Sequence, residues 1–158
     1  LKMDFSEGRG FRMRGTRPVV TNKASTIEKL RGCVTILPDP SEGEEEKVIY
    51  LQFLDPDKQI VEDNANTITV NGNIYSKRLA FIYLGLEAQV CEYITVPEGS
   101  LKEGTYTLNV FEDERDFSLF SDDIIINSKK EVFSKLNNKD IFINTVMQKF
   151  FAVSLFGF

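Results

Sequence analysis

Residues 100–110 read SLKEGTYTLNV, and their order decides the fold. Tyr106, Leu108 and Val110 alternate with Thr105, Thr107 and Asn109, which gives an extended chain one apolar and one polar face. Leu101 precedes this run, and Gly104 stands two residues ahead of Tyr106. A Leu, then a Gly, then a Tyr at a strand start has the form of a tyrosine corner, in which the hydroxyl bonds back to the backbone just upstream and pins a crossover. Gly104 permits the close turn of the chain that this needs. A plain strand start with a buried Tyr is the simpler reading. Both readings are structural, and neither gives a chemistry.

Outward from this stretch the same rhythm recurs. RGCVTIL (31–37) reads as a strand that runs out at Pro38, and the loop PDPSEGEEE follows it. KVIYLQFL (47–54) puts Ile49, Leu51 and Phe53 on one face and stops at Asp55-Pro56, which suits the start of a type I turn. TITVNGNIYSKRLAFIYL (67–84) reads as a hairpin about Asn71-Gly72, with a second arm long enough to bend or change sheets. AQVCEYITV ends at Pro97, and DFSLF to IIIN (116–127) closes the series. About seven short strands with this spacing predict an all-β, immunoglobulin- or fibronectin-III-like sandwich over 30–127. A basic lead-in with an edge strand (1–29) precedes it. An amphipathic, Phe-rich tail (128–158) follows, with Ile143, Val146, Met147 and Phe150 on one helical face.

The chain of 158 residues is sized for one domain with appendages. It contains no His, which excludes Ser-His-Asp and Cys-His chemistry and His-ligated zinc. The GRG at 8–10 completes neither nucleotide-loop pattern, and no cofactor is expected. Charge is segregated along the chain. Residues 1–36 carry eight Lys and Arg against three Asp and Glu, residues 37–128 six against nineteen, and residues 129–158 five against two, for a net −5. The acidic body argues against nucleic acid as a partner, because phosphate binding needs a cationic face.

Several residues carry candidate roles. In GRGFRMRGTRPVV (8–20), Arg12 and Arg14 share one face of an extended chain opposite Phe11 and Met13. They either defend an edge strand or form a docking stripe for an acidic partner. In the tail, Phe150, Phe151, Phe156 and Phe158 either pack on the sandwich, enter a partner or lie at a membrane interface. Cys33 and Cys91 are 58 residues apart, a spacing that suits a disulfide across a small sandwich in an oxidising compartment and two buried thiols in a reducing one. Asp55, Asp57, Glu62 and Asp63 lack the spacing of a calcium loop and read as a solvated turn.

The stretches GRGFRMRGTRPVVTNKASTIEKLRGCVTI, KVIYLQFLDPDKQIV, IYSKRLAFIY, QVCEYITV and GTYTLNVFEDE together resemble a family of bacterial envelope proteins. Those proteins have an N-terminal membrane anchor, a long coiled coil and a C-terminal immunoglobulin-like domain beginning with an Arg-containing strand. The resemblance covers about residues 5–126 and includes neither the anchor, the coiled coil nor the Phe-rich tail. It implies a periplasmic or envelope location and a non-enzymatic binding or scaffold role toward another envelope protein, extending to a secretion or motility machine. Membrane association would come through an anchor outside these residues or through the tail. The alternative expectation is a carbohydrate- or small-ligand-binding sandwich that presents Tyr75, Tyr83 and Tyr93 on an outer face.

Overall fold

The computed structural model describes residues 1–112 and 120–127. Alternation of apolar and polar side chains, punctuated by Gly, Pro and Asn turns, resolves into ten strands: β1 (Met3–Arg14), β2 (Arg17–Val20), β3 (Lys29–Ile36), β4 (Glu45–Leu54), β5 (Ile68–Val70), β6 (Asn73–Tyr75), β7 (Lys77–Tyr83), β8 (Ala88–Thr95), β9 (Gly104–Glu112) and β10 (Phe120–Ile126). One four-stranded sheet has the order β2-β1-β3-β8, a second the order β10-β9-β4-β7, and β5-β6 forms a separate hairpin. Every strand pairing is antiparallel. The architecture is an all-β sandwich.

The two sheets face each other through their apolar positions. Leu30, Val34, Ile36 and Ile94 from the first sheet meet Ile49, Leu51, Phe53, Tyr106, Leu108 and Val110 from the second, all of them buried. Fully burying one such side chain stabilises the fold by about 1.5–3 kcal/mol, so this layer dominates its energetics. The sheets approach closely where side chains are missing. A Cβ on Gly8 would lie 2.3 Å from Ile124 Cδ1, one on Gly10 2.8 Å from Ile27 Cδ1, and one on Gly32 3.2 Å from the Leu108 methyls. The glycines of β1 and β3 therefore form the sockets into which β10, β9 and the 24–27 turn fit.

This corrects the expected boundaries. The 1–29 segment is not an appendage with an edge strand. β1 lies between β2 and β3, registers with β3 from Met3↔Ile36 to Phe11↔Lys29, and only the short β2 stands at the edge. The inward face of β1 presents glycine where a buried strand usually presents aliphatic side chains, so no apolar alternation marked it in the sequence.

Of the two outcomes its length allowed, a bend or a change of sheet, the 67–84 ribbon takes the second. Asn71 (φ 52°) and Gly72 (φ 83°) make the tight turn, both in the left-handed region that such a turn demands. The ribbon breaks at Ser76, which is buried: its Oγ donates to the Val61 carbonyl (2.7 Å) and accepts from the Phe53 amide (3.0 Å). Before the break, β5-β6 lies on the outer face of the second sheet, where Tyr50 and Tyr75 stack at 4.9 Å and Tyr75 meets Phe111 edge-on at 5.2 Å. After it, β7 joins the sheet beside β4.

Cys33 and Cys91 form a disulfide, and its position differs from the expectation. It does not cross the sandwich. The two residues stand opposite each other on adjacent strands of one sheet, with Cα atoms 4.0 Å apart, and staple β3 to β8 on the outer face. Gly32 and Val34 take the inward positions of β3, so Cys33 between them points outward. The amphipathic helix and the four tail phenylalanines expected over 128–158 lie outside the described residues.

Candidate functional site

The β1-β2 hairpin carries the most unusual charge arrangement in the structure. Its two-residue turn, Gly15-Thr16, brings Arg14 directly opposite Arg17 and Arg12 opposite Val19. Opposed residues of an antiparallel pair share a face, as do residues two apart on one strand. Arg12, Arg14 and Arg17 therefore line one face of the ribbon, and Met13, Pro18 and Val20 the other. Pairing with β3 ends at Phe11↔Lys29, so the arginine-bearing turn runs on beyond its neighbouring strand. Arg14 and Arg17 are exposed and Arg12 is half-buried.

These three guanidinium groups make no ion pair with a described carboxylate. Five of the ten other Lys and Arg side chains among the described residues do: Arg9 and Arg31 share Glu7, Lys47 holds Glu42 and Glu45, Lys77 holds Asp63, and Lys102 holds Asp55 and Asp57. Glu28, just before β3, accepts a hydrogen bond from the Met13 backbone amide at 3.0 Å. Like charges placed directly opposite on a strand pair are destabilising. The fold holds two arginines in that relation at the mouth of a hairpin, a local cost that a bound oxyanion would remove. The free edge of β2 is blunted by Pro18, which has no N–H to offer an added strand.

Arg12 and Arg14 were legible as a stripe in the sequence, and Arg17 was not singled out. Its signal was the two-residue spacing of a tight turn between Arg14 and Arg17.

The opposite behaviour holds at the end of the sandwich built by β9. The Tyr106 hydroxyl donates to the Lys102 carbonyl at 2.8 Å, Leu101 packs on the core, and Gly104 adopts φ 139° with Pro56 so close that a Cβ would lie 2.5 Å from its Cγ. Burial pushes the Tyr106 phenol above its usual pKa. Beside it lies a cleft of about 360 Å³ whose walls include Asp55, Val61, Pro97, Leu101, Lys102 and Tyr106. Its one lysine is engaged: Lys102 bonds to Asp57, which holds the ammonium above its usual pKa, and sits 3.7 Å from Asp55, while Glu62 on the same wall is exposed. Asp63 is turned elsewhere, to Lys77 (3.0 Å) and to the Thr95 amide (2.9 Å). Of the four acids of the 55–63 turn, Asp55 and Asp57 thus share Lys102, Asp63 serves Lys77 and the Thr95 amide, and Glu62 is exposed.

The three tyrosines expected on an outer face do not form a platform. Tyr75 is buried under the β5-β6 hairpin, and Tyr83 is buried inside the sandwich with its hydroxyl on the Leu37 carbonyl at 2.7 Å. Tyr93 is half-buried on the outer face of the first sheet, edge-on to Phe11 at 5.5 Å, with the Arg31 guanidinium 4.8 Å above the same Phe11 ring.

The family model described as Domain of unknown function (DUF8428) matches residues 6–121, and the chain belongs to that family. Its span runs from within β1 to within β10 and so covers both sheets. No curated protein matches the chain. No solved structure matches it.

Proposed function

We propose that this member of a domain family of unknown function is a non-enzymatic interaction module, an immunoglobulin-like sandwich of a bacterial cell envelope that holds an acidic protein partner on its β1-β2 hairpin. The observation that carries this reading is the Arg14–Arg17 opposition, with Arg12 on the same face and no ion pair from any of the three to a described carboxylate. Guanidinium groups recognise carboxylates through paired N–H donors, and three on one ribbon suit an extended acidic segment. A polyphosphate partner is disfavoured by the nineteen acids against six bases of residues 37–128. The Cys33–Cys91 bond supports an oxidising compartment such as the periplasm. The tail phenylalanines Phe150, Phe151, Phe156 and Phe158 are a second contact surface, toward the same envelope protein or the membrane. Membership of a secretion or motility assembly is the furthest extension of the reading.

The test is affinity capture from the native envelope by the wild-type chain, by Arg14→Glu/Arg17→Glu, and by a chain ending at residue 128. The wild type should retain a partner that the double variant loses and that elutes with rising salt, because exposed ion pairs are screened. Capture that is indifferent to both arginines and lost with the tail would move the interface to the aromatic segment. The small-ligand alternative keeps one support, the cleft beside Tyr106, whose volume falls in the range of small-molecule sites.

A further inference from the structure

A second surface, remote in sequence from the arginine hairpin, lies along the edge strand β7. β7 is the outermost strand of the second sheet, seven residues long, with neither Pro nor Gly to blunt it. Ile82 on β7, and Leu84 and Leu86 just beyond it, are 56%, 55% and 66% exposed. An unprotected edge flanked by bared aliphatic side chains is a pairing site unless something covers it.

The charges around this edge say what covers it. Arg78, Ala80 and Ile82 occupy the outward face of β7. On the neighbouring strand β4, Glu46 stands directly opposite Ile82. Arg78 and Glu46 are both exposed, and among the described residues neither has an ion-pair partner. Within one chain they cannot meet, because Arg78 pairs with Tyr50 and Glu46 lies four residues along β4, roughly 13 Å away by strand rise. The edge thus has a cationic end and an acidic, aliphatic end.

The geometry points to a two-fold dimer in which β7 pairs antiparallel with β7 of a second copy, centred on Ala80. In that register Arg78 of each copy lies opposite Ile82 of the other, and its guanidinium passes over that isoleucine toward Glu46 on the next strand, about two strand spacings or roughly 10 Å away at the backbone. Ile82 gains the Arg78 methylenes as cover. Leu79 comes opposite Phe81 on the inward side. The pairing is isologous, so each contact occurs twice and the assembly closes at two copies. The second sheets join into one eight-stranded sheet across the axis, and the arginine hairpins, carried by the first sheets, take no part in the interface.

Sedimentation of the full chain over rising concentration tests this, with circular dichroism to establish that each variant is folded. The wild type should pass from monomer to dimer with a Kd in the micromolar range, as expected of a small interface. Arg78→Glu, Glu46→Arg and Ile82→Asp should each raise the Kd at least about tenfold, since every substitution acts at both symmetric contacts. Combining Arg78→Glu with Glu46→Arg should restore association, which no loss of fold could mimic. A wild-type chain that remains monomeric to roughly millimolar concentration, a dimer unmoved by Ile82→Asp and by either charge reversal, or growth beyond two copies would each overturn the proposal. Retention of the acidic partner on a dimerisation-deficient variant would separate the two surfaces.

Discussion

At the scale of single residues, Tyr106 and Arg14 represent opposite kinds of site. Tyr106 is buried with its hydroxyl satisfied by the Lys102 carbonyl. Tyr106→Phe should therefore lower stability by about 1 kcal/mol, read as a shift in the denaturant midpoint at unchanged slope. Its titration has a definite sign. Burial raises the folded-state pKa of Tyr106, and the Asp57 bond raises that of Lys102, above their ordinary values. The stability contributed by each group is complete below its unfolded value and is lost as pH rises through the folded one. The thermal midpoint should be flat to about pH 10 and fall above it, less steeply in Tyr106→Phe, as a melting series across alkaline pH would show. At Arg14 the structure predicts the reverse of ordinary mutational damage. Arg14→Glu replaces a like-charge opposition with an attractive pair to Arg17, and should raise stability by about 0.5–1 kcal/mol in thermal melts while abolishing partner capture. The Leu101-Gly104-Tyr106 pattern was legible in the sequence because its parts lie within five residues of one another. The Pro56 ring that closes on Gly104 was not, because that contact spans the fold.

Among the elements, strands with alternating apolar positions were read with small boundary shifts, and β1 was the exception. Its inward residues Gly8 and Gly10 carry no hydrophobic signal, and their role as sockets for Ile124 and Ile27 exists only after the sheets have met. The length of the 67–84 ribbon allowed either a bend or a change of sheet, and nothing in it marked the pivot. Ser76 looks like an ordinary polar residue in sequence, yet its hydroxyl is the buried link between the Val61 carbonyl and the Phe53 amide. Ser76→Ala leaves both groups without that partner. A loss of about 1–3 kcal/mol is expected, with a disproportionate fall in near-ultraviolet signal from the adjoining Tyr50–Tyr75 stack.

For the whole molecule, the sequence conveyed an all-β chain with an apolar interior, and the assignment of strands to sheets lay beyond it. A spacing of 58 residues fits a disulfide between sheets as well as one within a sheet. Closing a loop of that length in the unfolded chain stabilises the fold by up to about 4 kcal/mol. Because β3 and β8 are already registered over eight residue pairs, Cys33→Ser/Cys91→Ser should keep the native circular dichroism spectrum with a midpoint lowered by about 2–4 kcal/mol equivalent in denaturant titration. The bond is also lopsided: Cys33 is 2% exposed and Cys91 faces water. A thiolate arriving from solvent meets the Cys91 sulfur first, with Cys33 as the departing group. Mixed adducts with a small thiol should accordingly map to the peptide bearing Cys91, which makes the oxidised sandwich a one-sided electrophile with its reactive atom on a sheet margin.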